Sequence, residues 1–129
     1  MNYSFNKKLT GFTFEQAIEH VTAMFKTEGF GIISEIDMKA TLKSKIDVDF
    51  RKYKILGACN PQYAYKALQV EDKIGIFLPC NVVVQEHENG EVEISAVDPI
   101  PAMSAVENTE MEAIAAEIQQ KIKNVMDKL

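Results

Sequence analysis

Apolar residues recur at two spacings along the first part of the chain, one typical of strands and the other typical of helices. Residues 3–9 alternate between apolar and polar side chains, which predicts a first strand. Residues 14–28 place apolar side chains at helical intervals, and Thr13 and Gln16 have the spacing of a capping box. Gly29 is placed to end this helix in the left-handed conformation. The pattern therefore predicts a strand, a break and an amphipathic helix.

The middle of the chain predicts two further strands, the first of them followed by a weak helix. Residues 30–36 and 53–59 are short runs rich in residues that favour strands. Between them, Asp37 is a candidate N-cap. The apolar face of the helix that follows would consist of Met38, Leu42 and Ile46.

A third helix is expected directly after residue 59. Asn60 is a favoured N-cap residue because its side chain can accept hydrogen bonds from free amides. Pro61 suits the first helical position because it has no amide to leave unpaired. The buried side of this short helix would consist of Ala64, Ala67 and Leu68.

Asn89 and Gly90 lie between two β-patterned runs, in the arrangement of a β-hairpin. Asn-Gly is the favoured sequence of a two-residue type I′ turn, and the turn sets the register of its strands. Counting outward predicts three facing pairs: Glu88 with Glu91, Val83 with Ala96, and Asn81 with Asp98. Both faces of the hairpin would then be apolar near Cys80, so a second subunit is the expected cover for one of them.

The longest helical stripe ends the sequence. Thr109 and Glu112 have capping-box spacing, and apolar side chains follow at helical intervals from Met111 to Leu129. Together the elements predict an α+β fold, in which the first and last helices pack on one face of an antiparallel sheet and short helices are inserted between strands.

Length and composition restrict the class of protein. The 129 residues suit one domain, residues 1–129, and 47% apolar with 26% charged residues is the balance of a folded globular chain. No apolar run reaches the roughly 20 residues of a membrane-spanning helix, and none after Lys7 and Lys8 suits a signal peptide. We therefore expect a cytoplasmic protein without membrane partners, in which two cysteines are more often free thiols than a disulfide.

The charged residues are unevenly distributed. No Lys or Arg occurs between Lys73 and Lys121, whereas residues 39–54 are predominantly basic. This distribution suits two solvated faces, attraction between two copies, or steering of a small anion to the basic segment. The net charge of −5 argues against nucleic acid as a partner.

Both cysteines precede an asparagine, in Cys59-Asn60-Pro61 and in Cys80-Asn81. If the two strands that carry them are neighbours, these residues and Asp98 would share one cleft. Free amides at the start of a helix would bind an anionic group or favour a thiolate at Cys59. The structural alternatives are cysteines packed as small apolar side chains and asparagines that cap a helix or hold irregular backbone.

The sequence offers no partner for thiol chemistry and no metal-ligand pattern. Neither His20 nor His87 is supported as a general base for a cysteine. Two single cysteines separated by twenty residues do not form a zinc pattern, and no phosphate-binding loop or dinucleotide fingerprint occurs. We therefore expect no metal and no cofactor, and we assign no catalytic residue.

Three separate segments resemble a known family. They are residues 56–61, residues 78–82 and Asp98-Pro99. These match the Leu-Gly-x-Cys-Asn-Pro, Leu-Pro-Cys-Asn-Val and Asp-Pro motifs of the domain of unknown function 302, a family of small bacterial and archaeal proteins. The resemblance extends over nearly the whole chain. It implies a β-α-β-β-β-β-α fold of the TATA-binding-protein-like class, often seen as a dimer, and no established reaction.

The sequence favours a non-catalytic role. The principal hypothesis is a cytoplasmic homodimer that binds a small-molecule or anionic ligand, or a partner, at the residues Cys59, Asn60, Pro61, Cys80, Asn81 and Asp98. Two alternatives stay open. One is a thiol-dependent enzyme or redox protein that uses Cys59 or Cys80, and the other is a structural module that only self-associates.

Overall fold

Five antiparallel strands form one open sheet in the order β1-β5-β4-β3-β2. The computed structural model describes residues 2–129. In chain order the elements are β1 (Ser4–Leu9), α1 (Phe14–Lys26), β2 (Gly31–Asp37), α2 (Met38–Ile46), β3 (Tyr53–Cys59), α3 (Pro61–Val70), a 3₁₀ turn (Ile74–Phe77), β4 (Cys80–Glu86), β5 (Val92–Val97), α4 (Pro99–Ala102) and α5 (Thr109–Lys128). This order confirms the predicted α+β fold, with its β-α-β-β-β-β-α succession and short inserted helices.

One face of the sheet is covered by helices and carries the core. Its buried side chains include those of Leu56, Val82, Val84, Ile94 and Ala96. They pack beneath α1 and α5, which contact each other above the sheet, and α3 lies beside α5. The core is therefore a two-layer arrangement of helices on one side of a sheet.

The opposite face of the sheet is not covered by the core helices α1, α3 and α5. We call it the open face. The strand registers place the following residues on it: Tyr53, Ile55, Asn81, Val83, Gln85, Glu93, Ser95 and Val97. Most of these side chains are half-buried by their neighbours on the sheet, whereas Asn81 is exposed.

The termini of α1 follow the predicted chemistry closely. The Thr13 side chain accepts from the Gln16 amide, and the Gln16 side chain accepts from the Thr13 amide, which completes the capping box. The helix ends at Lys26, two residues earlier than predicted. Gly29 has a φ of +87°, and Phe30 then packs edge-on against Phe25 with ring centroids 5.4 Å apart. The backbone reversal places Phe30 in the core.

Three helical predictions are corrected by the structure. The N-cap of α5 is Asn108, whose side chain accepts from the Met111 amide, and the predicted cap Thr109 is already helical. Asp37 caps α2 as predicted, but α2 buries none of its side chains. Of the predicted buried stripe of α3, Ala67 is buried whereas Leu68 is exposed. The short helices α2 and α3 lie at the surface, where a weak apolar stripe does not ensure burial.

The register of the β4–β5 hairpin differs from the prediction by one residue. Val82 faces Ala96 and Val84 faces Ile94, so the predicted pairs of Val83 with Ala96 and Asn81 with Asp98 do not form. The loop has three residues, because the His87 amide donates to the Glu91 carbonyl at 2.8 Å.

The turn geometry explains this difference. A type I′ turn would need a positive φ at both Asn89 and Gly90, and only Gly90 has one, at +85°. The Gly90 amide donates to the His87 carbonyl at 2.9 Å, which closes a four-residue turn ending at this glycine. Asn89 instead accepts from the Glu91 amide. With this three-residue loop, Val82 and Val84 lie on the covered face together with their partners Ala96 and Ile94.

A close contact at Gly57 holds the start of β4 against β3. Gly57 faces Asn81 across the two strands. A Cβ atom at position 57 would overlap the Ser34 hydroxyl and lie 2.7 Å from Pro79 Cγ. Pro79 therefore directly precedes β4, a central strand of the sheet. The glycine is required here by the close approach of Pro79 and Ser34.

Candidate functional site

A cavity of about 330 Å³ lies at the end of the sheet where β3 stops and β4 begins. One side of α3 forms part of its wall, through Asn60, Tyr63, Ala64, Ala67 and Leu68. Residues of α5, of the segment after α4 and of the chain leading into β4 complete it. The strand ends and helices thus enclose a space that the core does not fill.

Three of the six predicted site residues lie in the wall of this cavity. They are Cys59 at the end of β3, Asn60 directly after it, and Cys80 at the start of β4. The two strands are neighbours, and Cys80 faces Ala58 in the register. The prediction that the two Cys-Asn segments meet at one rim therefore holds for both cysteines and for Asn60.

The other three predicted residues lie outside the wall. Asn81 is on the open face, opposite Gly57, at one end of a shallow depression of the sheet. Pro61 occupies the first position of α3 and is exposed. Asp98 accepts from the Ile100 amide at 3.1 Å and from the Gln119 side chain at 3.0 Å.

The one-residue difference in register explains why Asn81 and Asp98 separate. Successive residues of a strand point to opposite faces, so a slip by one residue exchanges the faces of one strand relative to the other. Asp98 therefore caps α4 and binds Gln119 instead of meeting Asn81. The expected cluster of polar side chains at this rim does not form.

Asn60 occupies the N-cap position of α3 without acting as a side-chain cap. Its side-chain amide donates instead to the Glu28 carbonyl at 3.2 Å, and its atoms lie against Gly29. Asn60 thus ties the start of α3 to the end of α1. The first amides of α3 keep no side-chain acceptor at this end of the cavity.

The cavity wall is almost entirely apolar. Asn60 supplies its one amide side chain and Tyr63 its one phenol, and the remaining side chains are hydrocarbon, thioether or thiol. Two methionines, Met103 and Met111, contribute from the segment after α4 and from α5. Such a wall suits an apolar molecule with few polar groups.

Sequence reasoning did not identify several wall residues, among them Tyr63, Met103 and Ile118. They come from three distant parts of the chain, and the helical stripe of α5 alone marks Ile118 as core. A signal was available in α3, whose apolar side includes Leu68, a residue that is 46% exposed. An apolar helix side that stays partly uncovered is typical of a binding surface.

Cys80 is a poor candidate for a nucleophile. Only 5% of its surface is exposed. Burial, with a smaller contribution from nearby Cys59, raises the pKa of the Cys80 thiol to about 11. The thiolate is the reactive form, so Cys80 is protonated and inert at neutral pH. Cys59 is half-buried, and both cysteines are free thiols, as the sequence analysis predicted.

The histidines lie away from this chemistry. His87 Nε2 is 2.9 Å from a carboxylate oxygen of Glu93 near the hairpin loop, and the His20 ring stacks on Phe12. Neither residue is part of the cavity wall. The arrangement therefore provides no general base beside either sulfur.

Three of the six basic residues in segment 39–54 form ion pairs within the chain. Lys43 binds Asp47 at 2.8 Å, and Lys52 and Lys54 bind Glu15 and Glu35 at 3.2 and 2.7 Å. Lys39, Lys45 and Arg51 form no ion pair among residues 2–129, so the positive charge of the segment is balanced only in part.

Two further features are absent from residues 2–129. Across these residues, no group of three or more His, Cys, Asp and Glu side chains is placed to hold a metal ion. In the same part of the chain, no helix combines the length and the apolar character needed to cross a membrane.

The fold and the cavity define a two-layer α+β protein with an apolar pocket beside its central strands, and comparison with known proteins gives the family. A family model described as "Domain of unknown function DUF302" matches residues 5–129, so the chain belongs to this family. A solved structure, the crystal structure of an uncharacterized conserved protein DUF302 from Bacillus stearothermophilus, is similar over 99% of this chain and 98% of its own. Its sequence identity is 28% and its TM-score is 0.90. No match was found among curated proteins.

The raised pKa of Cys80 makes the stability of the protein depend on pH above 9. The unfolded chain releases the thiol proton near the ordinary pKa of 9.0, whereas the native state keeps it until about pH 11. Deprotonation therefore favours the unfolded state over this interval, and we expect a loss of about 2 kcal/mol in the free energy of unfolding by pH 11.

Urea unfolding of Cys80→Ala across pH 8–11 measures this contribution. The variant should lack the loss while being about 1 kcal/mol less stable than the natural protein at pH 7. Cys59→Ala is the matched control and should retain it. Parallel curves for Cys80→Ala and the natural protein would contradict the burial argument.

Proposed function

We propose that the protein is a small binding protein that holds a ligand, without transforming it, in the cavity between α3, α5 and the facing ends of β3 and β4. The observation that carries this proposal is the cavity itself. The cavity has a volume of about 330 Å³ and is partly open to solvent, and it differs from the other depressions of the surface in its apolar wall. Its volume falls in the range of small-molecule sites, about 300–1,000 Å³.

The chemistry of the wall supports binding over catalysis. An apolar cavity is poorly hydrated, so the binding of an apolar molecule in it is favourable. The polar groups at one end, Asn60 and the free amides at the start of α3, would orient a polar or anionic group of the ligand. The buried thiol of Cys80 and the absence of a base from the wall give a nucleophile no activation.

We also propose that the protein acts as a homodimer in the cytoplasm. The open face supports a second copy as its cover, because apolar side chains such as Ile55, Val83 and Val97 lie at its centre without one of the core helices above them. Most of the polar residues around them are uncharged, so the desolvation cost of covering the face is modest. Two free cysteines suit a reducing compartment.

Blocking the cavity tests the binding function. Replacing Ala64 by Phe, or Ala67 by Leu, adds side-chain volume to the α3 side of the cavity. We expect either variant to weaken binding of the neutral apolar dye N-phenyl-1-naphthylamine at least about tenfold, because the dye and the new side chain need the same space. Dye fluorescence measures the affinity, and circular dichroism checks the fold.

Ala23→Phe is the matched control, since Ala23 is an exposed alanine of α1. It should bind the dye as the natural protein does. A natural protein that binds no dye, or a blocked variant that binds it with unchanged affinity, would contradict the proposed site.

The oligomeric state tests the dimer separately. Light scattering should give a mass twice the 14.5 kDa of one chain. Val83→Lys places a charge at the centre of the open face, and we expect it to yield monomers because a buried unpaired charge is costly. Val48→Lys, at an exposed valine outside the open face, should remain dimeric. A monomeric natural protein, or a dimer unaffected by Val83→Lys, would exclude this interface.

A further inference from the structure

Two antiparallel helices, α3 and α5, both line the cavity. The Asn108 side chain, at the start of α5, donates to the carbonyl of Val70 at the end of α3, at 2.9 Å. Further along α5, Lys121 Nζ lies 6.0 Å from the ring centroid of Tyr63 near the start of α3. Met111 and Ile118 of α5 both line the cavity, and their separation of seven helical steps corresponds to about 10 Å.

The two ends of this cavity differ in chemistry. Towards the start of α5 the wall consists of Met103, Met111 and Ala67, which offer only carbon and sulfur. Methionine side chains are flexible and adapt to apolar ligands of different length. This end therefore accepts hydrocarbon and has no group to satisfy a polar one.

At the opposite end two lysines flank the wall residue Tyr63, although neither is itself part of the cavity wall. Lys66 Nζ and Lys121 Nζ lie 5.3 and 6.0 Å from the Tyr63 ring centroid. Within residues 2–129, neither of these lysines has a carboxylate at ion-pair distance. Glu28, an acidic group in this region, is already bound by Lys128 at 2.9 Å and by the Asn124 side chain at 3.1 Å. Two ammonium groups thus remain available to a ligand.

The entrance is apolar. Ile33 and Leu68 line the cavity and are 65% and 46% exposed, so the opening lies between β2 and α3. Beside the wall residue Gly75, the 3₁₀ turn exposes Ile76 and Phe77. Exposed apolar side chains grouped around an opening are typical of a surface that receives an apolar molecule.

We propose that the ligand is a linear amphipath of the fatty-carboxylate class, an unbranched acyl chain that ends in an anionic headgroup. The chain lies along α5 towards Met111, and the carboxylate lies near Tyr63, Lys66 and Lys121. This inference rests on the proposed binding function and names its ligand class. The length of wall between Met111 and Ile118 accommodates an unbranched chain, and the two lysines beside Tyr63 orient its headgroup.

The hydrocarbon part is tested by a series of chain lengths. Calorimetric titration of hexanoate, octanoate and decanoate, each below its micelle concentration, should show affinity rising about fourfold per added methylene, the value that burial of one methylene implies. The gain should level off once the chain exceeds the length of the cavity. Ala64→Phe should lose binding throughout the series.

The headgroup part is tested with charge variants and a neutral ligand of the same chain. Lys66→Gln and Lys121→Gln should each weaken decanoate binding about threefold, as expected for a partly solvated charge pair, and leave binding of decan-1-ol unchanged. Lys45→Gln is the matched control, because Lys45 is an exposed lysine of α2 outside the cavity wall. It should change neither affinity.

The outcomes separate this inference from the proposed function. If the neutral dye binds in the cavity but affinity is independent of acyl chain length, the amphipath proposal is wrong and the binding function stands. If decanoate and decan-1-ol bind equally in all variants, the two lysines have no role and the proposal is also overturned. Failure of both the dye and the carboxylates to bind would remove both conclusions.

Discussion

The pairing of β4 with its two neighbours determines which side chains enter the core and which face outward. In the observed register Val82 and Val84 share the covered face with Ile94 and Ala96. A slip by one residue would turn the apolar side chains of one of the two strands to the open face. Burial of each valine or isoleucine side chain stabilises the fold by about 1.5–3 kcal/mol. A single turn preference contributes about 1 kcal/mol, so burial and not the turn type sets the register. The same register places Cys80 beside Ala58 in the cavity wall.

The sequence predicted the order of elements because each strand and long helix has its own pattern and its own punctuation. The capping box of α1 and the left-handed Gly29 are local features, decided within a few residues. The hairpin was mispredicted because Asn-Gly is compatible with both a two-residue and a three-residue loop. The alternation of apolar and polar residues in β5 held part of the information that distinguishes them, whereas residues 82–84 of β4 are all valine and do not alternate.

The candidate site was predictable only in part, for a related reason. Cys59, Asn60 and Cys80 stand at the ends of neighbouring strands, where a motif can be placed from strand order alone. Asn81 depends on the exact register, and the helical wall depends on how α3 packs against α5. Packing between distant helices is a tertiary property that no short motif encodes. The apolar cavity was therefore not foreseen, although it is the feature from which the proposed function follows.

The register of the central strands is the claim on which the site and its ligand depend, and nuclear Overhauser effects between methyl groups measure it directly. The account predicts a strong effect between the methyl groups of Val82 and Ala96, and between those of Val84 and Ile94, since each pair shares the covered face in direct opposition. An effect between Val83 and Ala96 in place of these would show the register of a two-residue turn. In that register Cys80 would face the opposite side of the sheet from the apolar side chains of Val92, Ile94 and Ala96, which would contradict the account.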